Sequence, residues 1–447
     1  MKRIWTPGLL AFALGAGLAL VSPAQAQAGK TEITVARFFG ACDADFGKVN
    51  DASKARGECG IITALINEYN ATNKDNAVVK PQIAEWGPYY DQLTARLVAK
   101  DVPTISVMHE SVLGDYVSRK LVEPLDDGLK AAGVDTGKYT EQAKRGTVIG
   151  GKTYALPMDT WSWLWHINGN LMKKAGLTQA DGTPVLPKSP EELLAHARKF
   201  KAATGKPYFA WANANETAAP FRTFLTLLYQ QNGQLFEAGN KKINLHSKEA
   251  TAAIELMNTL YSEGHVKPDT DYSGTNQAFL NGDAGIVVVG TWTIDEFMAQ
   301  AEKPGSPLHG AYSVVPFAKL YAKPAVFADG HSWVLLKGGT KNEAQRKAAY
   351  GFLKFLWDRN YEWARTGHLP ANQAVADSDN FKKLPFRSSI LEITRTGVAM
   401  PNTIPRQRTI ESVVGEELAS VMLSKKPIPQ AMKSAEDRVN KTLASVK

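Results

Sequence analysis

The sequence predicts an α/β protein of two lobes between which the chain crosses more than once. Short β-rich runs alternate with helical patterns over most of the length, as in α/β folds. The chain has 447 residues, more than one ordinary hydrophobic core accommodates. No low-complexity linker separates two halves and no internal repeat is visible, so two lobes imply repeated crossing.

The individual elements follow from local pattern. Glu32 to Phe38 reads as a strand, and Ile61, Ile62, Leu65, Ile66 and Tyr69 share one face of the next helix. Leu93, Leu97 and Val98 suggest a helix, followed by a strand at Thr104–Met108. Ser189-Pro190-Glu191-Glu192 is a helix start, with Ser189 as N-cap, Pro190 at the first position and Glu192 closing a capping box. Ile286 to Val289 is a β-branched run expected to be buried on both faces. Ser332–Leu336 reads as a strand, and Glu343–Trp357 as an amphipathic helix. The polar tail after Ser424 is expected to end in a surface helix.

The N-terminus reads as a cleavable secretory signal over residues 1–26. Lys2 and Arg3 precede an apolar stretch from Leu9 to Val21. As a helix this covers about 20 Å, short of the ~30 Å hydrocarbon core. Ala24, Ala26 and Ala28 then give the small-residue pattern of a cleavage site, placed after Ala26. The first cysteine is Cys42, so no lipid-anchoring cysteine stands at the new terminus, and a freely diffusing periplasmic protein is expected. Cys42 and Cys59 are the only cysteines, and a disulfide between them is the reading that fits an oxidising compartment.

Without Lys2 and Arg3 the 52 basic residues fall to 50, against 44 acidic. They are interspersed, which argues against a nucleic-acid partner. Catalytic motifs are fragmentary. His109-Glu110 begins a zinc-protease motif, but Leu113 stands where the second histidine belongs. Gly330-His331-Ser332 begins a nucleophile elbow, but Val334 replaces the needed glycine. The eight histidines are scattered, so neither metal nor cofactor is expected.

The ten tryptophans point to ligand binding. On a strand, Trp161, Trp163 and Trp165 share a face with Asp159. Aromatic faces beside carboxylates suit a sugar, whose C–H face packs on indole while its hydroxyls bond to the acids. Trp163 and Trp165 read more readily as core, whereas Trp161 stands evenly between core and cleft.

A set of landmarks then appears in order along the chain. Trp86 precedes Tyr89-Tyr90-Asp91, and Leu121-Val122-Glu123-Pro124-Leu125 follows. Next come Tyr154-Ala155-Leu156-Pro157, and Ile167-Asn168 before Lys173-Lys174-Ala175-Gly176-Leu177. Phe279-Leu280-Asn281-Gly282 and Gly290-Thr291-Trp292 lead to Gly330-His331-Ser332-Trp333 and Thr366-Gly367-His368-Leu369-Pro370. Through these the mature chain resembles the extracellular solute-binding proteins of carbohydrate ABC importers, the group that includes maltose-binding protein. The resemblance implies a periplasmic binding protein fold: two α/β lobes joined by crossing strands, with a ligand cleft between them. It implies one lobe from residues 29–145 plus 324–366, and another from 146–323 plus 367–447.

The resemblance also implies site residues. Trp292 matches the family's stacking tryptophan, and Trp161 beside Asp159 falls at a cleft position. Trp211 and Glu216 lie where an aromatic and a carboxylate are supplied, and His109 and Glu110 follow a strand end that carries polar sugar contacts. Gly330 and His331 sit on a crossing loop, Arg406 on a late segment reaching back to the cleft, and Glu85, Trp86 and Asp43 complete the set. Trp333 and Trp357 are expected in the core. The implied function is capture of a small carbohydrate or derivative by a monomer, without catalysis, and delivery to an inner-membrane ABC permease. Two alternatives stay open. Arg406, His331 and the basic balance would suit a polyol, glycerophosphodiester or sulfonated sugar. Asp159, Glu110 and Glu216 could instead serve a secreted hydrolase, which needs two carboxylates about 5 Å or about 6.5–9.5 Å apart. A sensor subunit without a transport role is a further reading.

Overall fold

The computed structural model describes residues 29–446, so the expected signal segment lies outside the described residues. Two sheets organise the rest. The first has five strands in the order Ala77–Ile83, Thr31–Arg37, Ile105–His109, His331–Val334, Leu156–Pro157. Its first three strands are parallel, and His331–Val334 runs antiparallel to both neighbours. The second sheet is built around the ten-residue strand Asp159–Asn168. Ile286–Gly290, Tyr312–Pro316, Val326–Asp329 and Leu369–Pro370 all pair antiparallel with it.

Each sheet has its own apolar core. One core draws on residues from Ile33 to Met158, Trp333 to Trp363, and Ala371. The other draws on Trp161 to Ala328 and Ala364 to Leu443. The chain therefore crosses between lobes at three places, Met158–Trp161, Ala328–Trp333 and Trp363–Phe381, in the last of which Ala364 and Leu369 join the second core while Ala371 still belongs to the first. This accounts for the missing linker.

Local expectations are met in kind, with small changes of boundary. The helix after Ser189 spans Pro190–Thr204, and Ser189 Oγ accepts the Glu192 N–H at 3.2 Å. The capping box closes one residue early, because Glu192 Oε2 accepts from Lys188 N at 2.6 Å. Ile286–Gly290 is buried throughout, as its β-branched run requires. The tail forms the helix Ile428–Ala444, which turns Ala431, Met432, Ala435, Val439 and Leu443 inward. Cys42 and Cys59 are joined, pinning the chain after the first strand to the start of the helix Gly57–Thr72.

Candidate functional site

A cavity of about 470 Å³ opens between the lobes, within the range usual for small-molecule sites. Its first wall comes from segments that leave the carboxyl ends of parallel strands, where α/β sheets place ligands. Phe38, Phe39 and Gly40 follow Thr31–Arg37, Glu85 and Trp86 follow Ala77–Ile83, and His109 ends its strand. The opposite wall carries Trp161 and Trp163 from the long strand, and Glu216, Arg222, Tyr272 and Trp292. His331 and Glu58 complete the lining.

The aromatic groups interlock. The Trp292 ring lies 5.5 Å from that of Trp161 and 5.6 Å from that of Trp163, and its indole N–H donates to Tyr272 Oη at 2.6 Å. Arg222 places its guanidinium 4.8 Å from the Trp161 ring centre and bonds Glu411 through Nε at 2.9 Å. Phe38 stacks on His109 with ring planes 5° apart. The indole N–H groups of Trp161 and Trp163 are buried without a protein acceptor.

The histidines are held in defined states. The backbone N–H of His109 donates to Tyr90 Oη at 2.9 Å, and that hydroxyl lies 2.7 Å from His109 Nδ1. Tyr90 therefore donates to Nδ1, and the ring proton sits on Nε2. Burial, with His331 and Arg222 nearby, pushes the His109 pKa well down, so it stays neutral. Asp159, fully buried, accepts the His331 backbone N–H through Oδ1 at 2.9 Å. Its Oδ2 meets His331 Nδ1 at 2.9 Å and the Trp363 indole N–H at 2.6 Å. Burial alone would raise the Asp159 pKa, but His331, His368 and these bonds outweigh it and hold it below the usual range. The same pairing outweighs burial at His331 and raises its pKa. Glu58, whose side chain is 25 % exposed, is pushed up to about 7 by its packed surroundings.

Of the residues expected from sequence, Glu85, Trp86, His109, Trp161, Glu216, Trp292 and His331 converge on this cavity. The others do not line it. Asp43 is exposed on a short helix beyond the first strand, and Arg37 below it turns inward to Gly40 O. Asp159 acts one layer behind, through His331. Trp211 is core, with its ring stacked on Phe209 and its N–H donated to Tyr261. Gly330 makes room for its neighbours: a Cβ there would stand 2.6 Å from Asp159 O and Glu110 Cδ. Arg406 is captured by Asp115, which accepts its backbone N–H at 3.1 Å and sits 3.7 Å from its guanidinium. Trp163, read as core, is buried yet lines the cavity, whereas Trp165, Trp333 and Trp357 are core. Sequence reasoning missed Phe38, Phe39, Glu58, Arg222 and Tyr272. An aromatic pair immediately after the first strand was a usable signal for Phe38 and Phe39.

Glu110 faces a second interlobe cavity of about 640 Å³, together with Asp329, Arg145 and Asn402. Both its carboxyl oxygens are buried without a hydrogen-bond partner. Burial, then Asp329 and Asp159, raise its pKa well above the ordinary carboxylate range. Folding therefore takes up a proton at Glu110 between the unfolded and the raised folded pKa. In that window stability falls as pH rises, by about 1.4 kcal/mol per unit for one proton. Below it, both states are protonated and the cost vanishes. Glu110→Gln is expected to flatten the pH dependence by about that slope above pH 5 in urea unfolding. An unchanged slope would show that Glu110 titrates normally.

Comparison with known proteins agrees with this architecture. The family described as bacterial extracellular solute-binding protein matches residues 64–387. The chain belongs to this family. The sn-glycerol-3-phosphate-binding periplasmic protein of Escherichia coli (strain K12) is 24% identical over 466 residues, covering 97% of this chain and 96% of that one. The GacH receptor of Streptomyces glaucescens, solved unliganded and with acarbose, superposes with a TM-score of 0.76 at 20% identity, over 94% of this chain and 100% of its own. A maltose-bound protein of T. maritima gives 0.75 at 18% identity, over 92% and 100%. This solute-binding protein thus shares the two-lobed fold of sugar-binding proteins, and no helix among its described residues is long and apolar enough to cross a membrane.

Proposed function

We propose that this solute-binding protein captures a neutral, polyhydroxylated ligand, a sugar or polyol, in the aromatic cleft and delivers it to an inner-membrane ABC permease. The carrying observation is the lining: Glu58, Glu85 and Glu216 face Trp161, Trp163 and Trp292, and the guanidinium among them, Arg222, is already paired with Glu411. Indole faces pack on the C–H face of a sugar ring, and carboxylates accept its hydroxyls. A phosphate or sulfonate would meet this acidic lining unfavourably, since Arg406 is held by Asp115 and the His331 proton is held by Asp159. Relatives bind both kinds of ligand, namely maltose and acarbose, and sn-glycerol-3-phosphate. The cleft chemistry favours the first.

The reading is of a monomeric periplasmic carrier that returns its ligand unaltered. Asp159, Glu110 and Glu216, the acids considered for hydrolysis, do not line one cavity: Asp159 is spent on His331 and Trp363, Glu110 lies on the other cavity, and Glu216 alone faces the aromatic cleft. The lobe boundaries we propose follow core membership, with crossings at 158–161, 328–333 and 363–381, in place of 145/146, 323/324 and 366/367.

A thermal-shift panel of neutral mono- and disaccharides, polyols and glycerol-3-phosphate tests the proposal. A ligand at 100 times its Kd stabilises by about 2.7 kcal/mol. A neutral sugar or polyol is expected to shift the transition and to be recovered unchanged. A response confined to the anionic member, or recovery of cleaved products, would overturn it.

A further inference from the structure

Beside the cleft floor, three side chains present lone pairs to one another. Glu58, His331 and His368 each offer a donor atom, and these atoms lie within 4.8 Å of one another. Glu58 Oε1 is 3.4 Å from His368 Nε2. The hydrogen bonds around the two imidazoles fix which nitrogens are left.

Thr366 Oγ1 donates its single proton to Trp363 O at 2.7 Å, so at 2.6 Å from His368 Nδ1 it must accept. The His368 proton is therefore on Nδ1, and Nε2, in a side chain with no exposure, is a bare lone pair without a hydrogen-bond partner. His331 directs Nδ1 at Asp159 Oδ2, and Asp159 also accepts from the Trp363 indole and the His331 backbone, so it is a carboxylate acting only as acceptor. The nitrogen His331 has left to offer is Nε2. Two imidazole nitrogens and a carboxyl group gathered in a buried setting call for a positive charge among them, a metal ion or a proton.

We propose that Glu58, His331 and His368 form a binding site for a divalent transition metal of the Zn²⁺ class. Two imidazoles and one carboxylate are a donor set that such ions favour over Mg²⁺ or Ca²⁺. Adjacent ligands of a tetrahedral zinc stand about 3.3 Å apart, given bonds of about 2.0 Å, which the Glu58–His368 separation matches. The outer groups are those a metal site uses. Asp159 on His331 Nδ1 and Thr366 on His368 Nδ1 orient each ring and fix its tautomer. Three protein ligands leave a fourth position, and because Glu58 and His331 line the cleft it is open to that cleft. The site rests on neither the ligand nor the transport reading.

The competing occupant is a proton shared between Glu58 and His368. Tag-free, disulfide-intact protein, stripped by dialysis against a chelator, is titrated with Zn²⁺ and with Co²⁺ in the absence of sugar. Metal per chain is read by elemental analysis, and Co²⁺ geometry by visible absorption. The site predicts one Zn²⁺ per chain, a tetrahedral Co²⁺ spectrum, and at least a tenfold loss of affinity in both Glu58→Gln and His368→Ala. Thr366→Val, which removes the acceptor at His368 Nδ1 together with the donor to Trp363 O, is expected to weaken binding about 10-fold or more. Should His368→Ala fail to fold, Glu58→Gln decides alone, because its side chain is partly exposed at a helix start. Substoichiometric metal overturns the proposal in favour of the shared proton. Binding that survives both substitutions overturns it in favour of a surface pair such as His246 and Glu436, 3.3 Å apart.

Discussion

Replacing Asp159 by alanine is expected to destabilise the protein by about 3–5 kcal/mol, the usual cost of removing one partner from a buried charged network. The size follows from position. Asp159 begins the first interlobe crossing, His331 belongs to the second, and Trp363 and His368 to the third. A single carboxylate thus ties all three crossings, through His331 N–H, His331 Nδ1 and Trp363 Nε1, with His368 Nε2 at 3.8 Å. Its loss strands these donors where water does not reach. The pH dependence has a definite sign. Because the folded pKa of Asp159 is depressed, its contribution is complete above the ordinary carboxylate range and is lost as pH falls through the depressed value. Urea midpoints of the wild type and the variant should differ widely near pH 7 and converge in acid. A constant difference at all pH values would mean that packing, rather than the charge network, is what alanine removes.

Trp292→Ala is expected to weaken ligand binding by about 10–100-fold, the equivalent of one aromatic face buried on binding. Trp292 is only partly buried and packs on Trp161 and Trp163 from the cleft side, so its removal leaves the core beneath intact. Isothermal titration with the ligand found in the panel reads the affinity, and circular dichroism reads the fold. A variant that unfolds while its folded fraction binds normally would place Trp292 in the core and the site elsewhere. The Tyr272 hydroxyl, which accepts from the Trp292 indole, supplies a finer test. Tyr272→Phe should cost less than Trp292→Ala, since it frees the ring without removing it.

Local features could be read from sequence where the physics is local. The Ser189 cap, the β-branched strand Ile286–Gly290 and the Cys42–Cys59 bond each depend on residues near one another or on compartment chemistry. Trp161, evenly balanced between core and cleft on its own pattern, and Trp292 were expected in the cleft through the family resemblance, and both line the cavity. Arg406 was misplaced because nothing nearby in sequence reveals that Asp115, on a different lobe, claims it first. Trp163 was undervalued for the opposite reason. Alternation gives the face of a strand but not whether that face meets a core or a cleft. Glu58 and Arg222 had no local signature, and His368 stood out only as part of the landmark Thr366–Pro370, with no role attached. Glu58, His331 and His368, gathered around Asp159, lie between 37 and 310 positions apart and meet only because the chain crosses between lobes three times.

The disulfide has a consequence for when the protein becomes competent. Cys59 follows Glu58 directly, and Gly40 lies against it, with the Cys59 sulfur 3.7 Å from where a Gly40 Cβ would stand. Both Glu58 and Gly40 line the cleft. Asn67, which donates to Phe46 O, Gly47 O and Val49 O, and Arg365, which donates to Ala52 O, Ser53 O and Ala55 O, hold the segment between the two cysteines elsewhere, so the disulfide is the tie nearest the cleft wall. A Cys42→Ser, Cys59→Ser protein is accordingly expected to fold yet bind its solute more weakly than the oxidised form. Closing the bond would then complete the cleft wall, so that competence to bind follows oxidation.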